Sequence, residues 1–238
     1  MYKPGLVGFV LVVLSVLAAM SGPLGSRQGW WDYTGAVRVI QWAAYAGALS
    51  SLLCLSGLIL ARPGGRRRGF VFSLLGVVII VPILYFLYSW KQAKQNLPPI
   101  QDITTNTDNP PKFWNAPNSR IYGGEGIASL QKEAYPDIKP LELPVSADRA
   151  FDLALEVIRD KGWKLWEPDR AEKHIEATEK TFWFGFSDDV VIHITALGKK
   201  RSRVDMRSVS RFGGGGDGGT NARRIRDFFK ALKKRAGK

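Results

Sequence analysis

Three long charge-free runs, Gly5–Met20, Val39–Leu60 and Phe70–Trp90, constrain this chain more than any other feature. A helix needs about 20 residues to cross about 30 Å of hydrocarbon, and the second and third runs meet that length while the first barely does. A buried core helix is the competing reading of such a run, but three of them in the first 96 residues point to membrane spans. The expectation is three transmembrane helices over about 5–22, 37–60 and 70–91. The first run also fits a signal peptide, with Lys3 ahead of it and small residues around Ala19 and Ser21. That alternative changes the number of anchors and leaves the sidedness as it is.

Orientation follows from the short connections. Arg62, Arg66, Arg67 and Arg68 crowd the second, whereas the first holds only Arg27 before Arg38. Positively charged loops stay in the cytoplasm. The N-terminus is therefore expected inside, and everything after Trp90 across the membrane, in the periplasm or outside the cell. Trp30, Trp31 and Tyr33, with Tyr85, Tyr88 and Trp90, then form an aromatic belt at the outer interface. Ala43, Gly47, Ser50, Cys54 and Gly57 recur at helical spacing and make a stripe for close helix packing. A transport path would want ionisable residues at mid-membrane, and the runs contain none, so an anchor bundle is expected. Pro82 is expected to kink the third helix, a break that neighbouring helices in a bilayer accommodate. Cys54 is the lone cysteine, which excludes an intrachain disulfide.

From Leu97 the composition changes. Leu97 to Pro117 is rich in Pro, Asn, Thr and Asp and shows neither helical nor alternating periodicity, which reads as the extended part of a linker over residues 97–134. Ile100, Ile103, Phe113 and Trp114 give it side chains to dock on the domain that follows, and Gly123 to Glu133 has the length of a short helical turn. Residues 135–238 then read in order as a strand at Ile138–Leu143, a helix capped by Ser146 and ended at Gly162, strands at Trp163–Glu167 and His174–Trp183, a hairpin, and a last helix over about Asn221–Arg235. The fold class is thus a three-helix transmembrane bundle plus an α+β domain. In that domain the order is strand, helix, four antiparallel strands, helix, with both helices on one face of the sheet.

The hairpin carries the strongest alternation. Val190, Ile192, Ile194 and Ala196 share a face with Val204 and Met206, and the opposite face holds Asp189, His193, Thr195, Arg203, Asp205, Arg207 and Arg211. A turn over Gly198–Ser202 would set Thr195 opposite Asp205, His193 opposite Arg207, and Asp189 opposite Arg211, close enough for a bidentate ion pair. Read as a solvent-exposed surface, such pairs contribute about 0–1 kcal/mol each. Replacing Arg207 and Arg211 together by Gln would then leave Tm nearly unchanged.

Several separate segments resemble one family. They are PPIQDITTNTDNPPKF from Pro98, YP at Tyr135, GW at Gly162, IEAT at Ile175, FGFSDDVVI at Phe184, VDMRSVSR at Val204 and NARRIR at Asn221. The stretch from Pro98 to about Arg235 is similar to the bacterial and plastid domain-of-unknown-function family fourteen-ninety-nine. The resemblance implies an envelope location and brings no established activity. A glycine run from Gly213 to Gly219 departs from the shorter turn usual there.

That run leads into a helix start with Arg223 and Arg224, where backbone N–H groups can hold phosphate, but no Lys and Ser/Thr pair closes it as a Walker A loop does. A flexible connection is the other reading. His174 and His193 are the only histidines, and a zinc site would need carboxylates such as Asp188 or Asp189 as further ligands; no metal and no cofactor is expected. Ser208 and Ser210 lack a nucleophile-elbow context.

Net charge is +13, and its distribution is uneven. From Lys199 onward there are 14 Lys and Arg against 3 acids, while residues 97–198 hold 11 against 17. Outside the cytoplasm a basic face meets anionic lipid or an acidic envelope polymer rather than nucleic acid. Ion pairing with the acidic half is the competing use of the same charge. The expectation is a membrane-anchored binding or scaffold domain of the cell envelope, with Asp189, His193, Asp205, Arg207, Arg211, Asn221, Arg223 and Arg224 as candidate binding residues. The lack of a catalytic constellation weighs against an enzyme. The alternatives are an envelope enzyme acting on an anionic substrate through the Asp189, His193, Asp205 and Arg207 face, and a carrier of an apolar ligand suggested by Phe182, Trp183, Phe184 and Phe186.

Overall fold

The computed structural model describes every residue except 1–2, 62, 65–68, 119–120, 212–214 and 238, and only the backbone of 93–94. The arginines of the second connection, and Gly213 and Gly214 of the glycine run, therefore lie outside the described residues. Residues 1–94 form one compact unit together with 182–185, and the rest of the chain forms another.

The first unit contains α1 (Lys3–Arg27), α2 (Tyr33–Leu60) and α3 (Phe70–Gln95). All three are long and apolar enough to cross a membrane. Each extends beyond its charge-free run, α1 doing so through Pro23. Asp32 caps α2 by accepting from the Gly35 N–H at 2.7 Å, as a short carboxylate before a helix does. The small-residue stripe of α2 is buried as its spacing requires. A Cβ placed on Gly57 would lie 1.9 Å from Ser73 Oγ, and one on Gly76 would lie 2.4 Å from Cys54 Sγ. Close backbone approach therefore explains why glycine stands at both positions. The α3 helix runs unbroken through Pro82.

The second unit is an antiparallel sheet with helices. Its elements are β1 (Asp102–Thr104), α4 (Gly124–Ala134), β2 (Leu141–Leu143), α5 (Ala147–Asp160), β3 (Lys164–Leu165), β4 (His174–Lys180), β5 (Ser187–Gly198), β6 (Arg201–Ser210) and α6 (Thr220–Ala236). Strand order is β1-β6-β5-β4-β3, and β2 pairs with the other end of β6. The expected series from β2 to α6 is present. The helical turn expected at Gly123–Glu133 is the 11-residue α4, and what the linker reading missed is β1, which pairs antiparallel with β6, Ile103 opposite Ser208. Buried Gln131 of α4 covers the free edge of β1, its Oε1 accepting from the Thr104 N–H at 3.0 Å and its Nε2 donating to the Thr104 carbonyl at 2.7 Å. An edge covered in this way offers no template to another strand.

One face of the sheet presents Ile175, Ala177, Val190, Ile192, Ile194, Val204 and Met206 to α5 and α6. Helix α5 starts where Ser146 accepts from the Arg149 N–H, buries Phe151, Ala154, Leu155 and Ile158, and is followed by Gly162 at φ +66. Helix α6 buries Ala222, Ile225, Phe228 and Leu232, and Trp163 stacks on Phe228 at 5.7 Å.

The β5–β6 hairpin turns more tightly than expected. Gly198, at φ +146, pairs with Arg201 across a two-residue loop, Lys199 and Lys200, with a bulge between Ala196 and Gly198. The register is shifted by two from the expected one: Thr195 faces Arg203, His193 faces Asp205, Val191 faces Arg207 and Asp189 faces Val209. A two-residue slip leaves every side chain on its face, because the side-chain period of a strand is two. The facing pattern was therefore right and the partners were not.

Candidate functional site

The charged face of the sheet, expected to lie open to solvent, is covered. After β1, Thr105 still bonds β6: its N–H donates to the Met206 carbonyl at 2.9 Å and its Oγ accepts from the Met206 N–H at 2.9 Å. Pro110 and Pro111 then carry the chain out of the sheet, since proline offers no N–H to a ladder. Residues 106–118 form a strap across this face, and Tyr122 packs beside it.

Beneath the strap sits a layer of paired charges. Arg207, on β6, donates to Asp102 through Nε at 2.8 Å and Nη2 at 2.7 Å, and to the Pro111 carbonyl through Nη1 at 3.2 Å. The Phe113 ring lies 5.4 Å from its guanidinium carbon and the Tyr122 ring 5.7 Å from it, both within cation–π range. Burial, and next the Asp102 charge, push the Tyr122 phenol up to about 12. Asp189 is fully buried and accepts from Arg211 Nε at 2.7 Å and Nη2 at 2.8 Å, from Thr178 Oγ at 2.6 Å and from Asn118 Nδ2 at 3.2 Å. The bidentate pair expected from the sequence exists, but Arg211 reaches Asp189 diagonally. Asp205 is buried and accepts from Arg203 Nη2 at 3.1 Å. His193 is half-buried opposite Asp205, and burial, then the neighbouring His174, hold its pKa below the usual imidazole value.

Glu176 is the residue that ties the strap down. Its carboxylate accepts from three successive backbone N–H groups, those of Trp114, Asn115 and Ala116, and lies 2.7 Å from His174 Nε2. Trp114 stacks flat on the His174 ring at 3.6 Å. Burial pushes the Glu176 carboxyl up, but the His174 hydrogen bond and the backbone donors outweigh it and leave the group below its ordinary value. Sequence reasoning missed Glu176. An acid in a Thr- and Glu-containing strand carries no mark of the loop it will bind.

The remaining candidates fall on the opposite face. Arg224 projects from α6 into the sheet and is held by Asp188 at 2.6 Å, by Glu179, by Ser208 Oγ at 2.9 Å and by Asn221 Oδ1. Burial pushes the Asp188 carboxyl up against the opposing pull of Arg224. Asn221 accepts from Ser208 Oγ at 2.6 Å and donates to the Gln101 carbonyl and to Ser210 Oγ, both at 3.0 Å. These contacts peg the start of α6 to the sheet. The glycine run does not leave a vacant phosphate cradle, for Asp217 turns its own carboxylate onto the Gly219 N–H at 2.8 Å and the Asn221 N–H at 2.6 Å. That carboxylate already occupies the place where a helix start favours an anion. Arg223 alone of the eight candidates is exposed. The other seven fall into two largely buried clusters on opposite faces of the sheet rather than one surface. His174 and Asp188 lie on opposite faces, and among the described residues no group of three or more His, Cys, Asp or Glu is placed to hold a metal ion.

Part of the basic charge without an ion-pair partner is gathered beside α6. A cleft of about 330 Å³ runs beside the helix, with Ile138, Ile225 and Phe229 on its floor and Lys139, Arg226, Lys230 and Lys233 on its rim. Asp137 pairs with Arg226 at 2.6 and 2.7 Å, which holds the Asp137 carboxyl below its usual range. Lys139, Lys230 and Lys233 have no ion-pair partner among the described residues. None of these lysines was among the candidate residues of the sequence reading, and Lys139 comes from a loop about 90 residues earlier in the chain.

These features define a class, three helices long and apolar enough to cross a membrane followed by an α+β domain whose sheet is closed by its own strap. A family model matches residues 102–232, more than half of the chain, and the chain belongs to that family, described as protein of unknown function (DUF1499). No curated protein matches. Among solved structures the di-domain aromatase/cyclase BexL of the BE-7585A biosynthetic pathway is 15% identical with a TM-score of 0.31, covering 40% of this chain and 44% of its own. The ZhuI aromatase/cyclase of Streptomyces sp. R1128 is 12% identical with a TM-score of 0.24, covering 41% and 83%. The chain thus spans less than half the length of the first of these.

Proposed function

We propose that the protein is a membrane-anchored binding protein of the cell envelope that takes an anionic amphiphile, an anionic lipid in the first instance, at the α6 cleft. The observation that carries this reading is the pairing of an apolar floor with three lysines that have no carboxylate of their own. Elsewhere in the domain the buried cations are paired, so three unpaired lysines beside the half-buried Phe229 ring mark where an outside anion with an apolar part fits. An acidic polymer would use the lysines and leave Phe229 idle. Asp137, the carboxylate that lines the cleft, is taken up by Arg226, which favours binding over chemistry.

Each lysine near an anionic headgroup contributes about 1 kcal/mol, so losing three should weaken binding by roughly 100-fold. The test is calorimetric titration of the full-length protein, in nanodiscs of zwitterionic lipid, with dihexanoyl phosphatidylglycerol below its micelle concentration. Saturable binding by the parent, lost in Lys139→Gln/Lys230→Gln/Lys233→Gln with an unchanged Tm, is expected. Equal binding by parent and variant, or none by either, contradicts the reading.

The envelope location in this proposal rests on the arginine-rich second connection. A reporter enzyme active only after export should work when fused after Lys238 and fail when fused after Gly65; the reverse pattern places the domain in the cytoplasm.

A further inference from the structure

The β4–β5 hairpin ends in the loop TFWFGF, residues 181–186. Its neck is closed by the Thr181 N–H on the Phe186 carbonyl at 2.8 Å and by the Phe186 N–H on Thr181 Oγ at 2.9 Å, and Gly185 makes the turn at φ +68. On this rigid neck stand two large aromatics, Phe182 at 78% and Trp183 at 66% exposure, their rings edge to face at 5.4 Å. Lys180, exposed, stands beside them. Large aromatics held out from a domain by a closed neck are expensive to leave in water, and an aromatic pair next to a lysine has the chemistry of the membrane interface, where amphipathic rings settle at headgroup level.

The topology indicates which membrane. Helix α3 ends at Gln95 and β1 begins at Asp102, seven residues on. Seven residues of extended chain span at most about 25 Å. Asp102 pairs with Val209, Val209 with Asp189, and Asp189 with Thr178. The chain therefore enters the sheet at the end where β4 and β5 run out into the aromatic loop, and not at the Lys199–Lys200 end. That end of the sheet is kept near the bilayer that α3 crosses by covalent reach alone.

We propose that the 181–186 loop is a second membrane contact, with Phe182 and Trp183 seated in the headgroup–acyl boundary of the bilayer that α1, α2 and α3 cross. The loop would give the domain a lipid contact of its own besides its covalent link to the spans.

The test is photo-crosslinking of the full-length protein in phospholipid nanodiscs. The photoreactive residue is introduced as Trp183→p-benzoylphenylalanine, and as Lys200→p-benzoylphenylalanine at the far end of the sheet; both positions are exposed, so neither change disturbs the core. The expected result is a peptide carrying residue 183 shifted by the mass of one phospholipid, with no such shift at 200. Adducts from 183 confined to protein, whether to the chain's own helices or to a second copy, overturn the proposal, as do equal lipid adducts at both positions or none at 183.

Discussion

Replacing Arg207 by Gln should destabilise the sheet domain by about 3–5 kcal/mol, because it leaves Asp102 as a buried carboxylate without its partner. Against a total stability of about 5–15 kcal/mol, that loss is enough to shift a large fraction of the domain towards the unfolded state. The sequence pattern suggests the opposite, since alternating charges on a strand read as a solvated face. The structure overturns that expectation: Arg207 is 3% exposed, both of its forked donors are engaged by one carboxylate, and Phe113 and Tyr122 flank it. Urea unfolding of the full-length protein in nanodiscs, followed by pulse proteolysis of the domain, measures the effect. The double variant Asp102→Asn/Arg207→Gln should recover part of the loss, since removing both charges leaves no ion stranded, and the cycle gives the coupling of the pair. An unchanged midpoint for Arg207→Gln would show the pair to be open to solvent. The Arg211 side chain is more exposed, at 28%, and Asp189 beneath it still keeps Thr178 and Asn118 when the guanidinium is lost. Arg211→Gln should therefore cost less than Arg207→Gln.

Glu176→Gln should cost about 3 kcal/mol and free the strap. Gln keeps the size of the side chain but presents an amide NH₂ to donors, where the carboxylate offers only acceptors to Trp114, Asn115, Ala116 and His174. The same carboxylate makes the strap sensitive to acid. Its folded pKa lies below the ordinary 4.5, so in the window between the two values the unfolded chain binds more protons than the folded one, and stability rises with pH. Glu176 therefore contributes its full stabilisation above pH 4.5, and the contribution is lost as pH falls from there through the folded value. Trypsin cleavage after exposed Lys112, at neutral pH, reads strap release directly: slow in the parent and fast in Glu176→Gln. Urea midpoints of the two proteins, measured as the pH is lowered, should converge below pH 4.5. A variant as resistant as the parent, or midpoints that stay apart in acid, would assign the clamp to other groups.

Much of this fold is written locally. Ser146, the apolar spacing of Phe151, Ala154, Leu155 and Ile158, and Gly162 specify α5 within one stretch of chain, and the alternation of Val190, Ile192 and Ile194 fixes which face of β5 meets the helices. The small-residue stripe of α2 is likewise legible, because close packing needs small side chains at helical spacing. What could not be read depends on partners far away in sequence. Asp102, Ile103 and Thr104 form a strand only because β6, about a hundred residues on, offers its edge, and their Pro- and Asn-rich surroundings have the composition of a linker. The register slipped by two because Lys199 and Lys200, rather than a longer loop, make the turn. The burial of Arg207 and Glu176 follows from a strap whose prolines and asparagines carry no periodic signal. Charge on the last helix was visible in the sequence, but its division into paired Arg226 and unpaired Lys230 and Lys233 depends on Asp137 and Lys139.

Closure of the charged face of the sheet is measured most directly by hydrogen exchange of the full-length chain in nanodiscs, at the amides which Glu176 collects. A closed face predicts that Trp114, Asn115 and Ala116 exchange as slowly as Thr104 and Thr105 beside β6, and that Glu176→Gln speeds the first group more than the second. Exchange of residues 112–118 at the rate of exposed chain, in a protein whose sheet amides are protected, would show the strap to be open and return Arg207 and Asp189 to the surface.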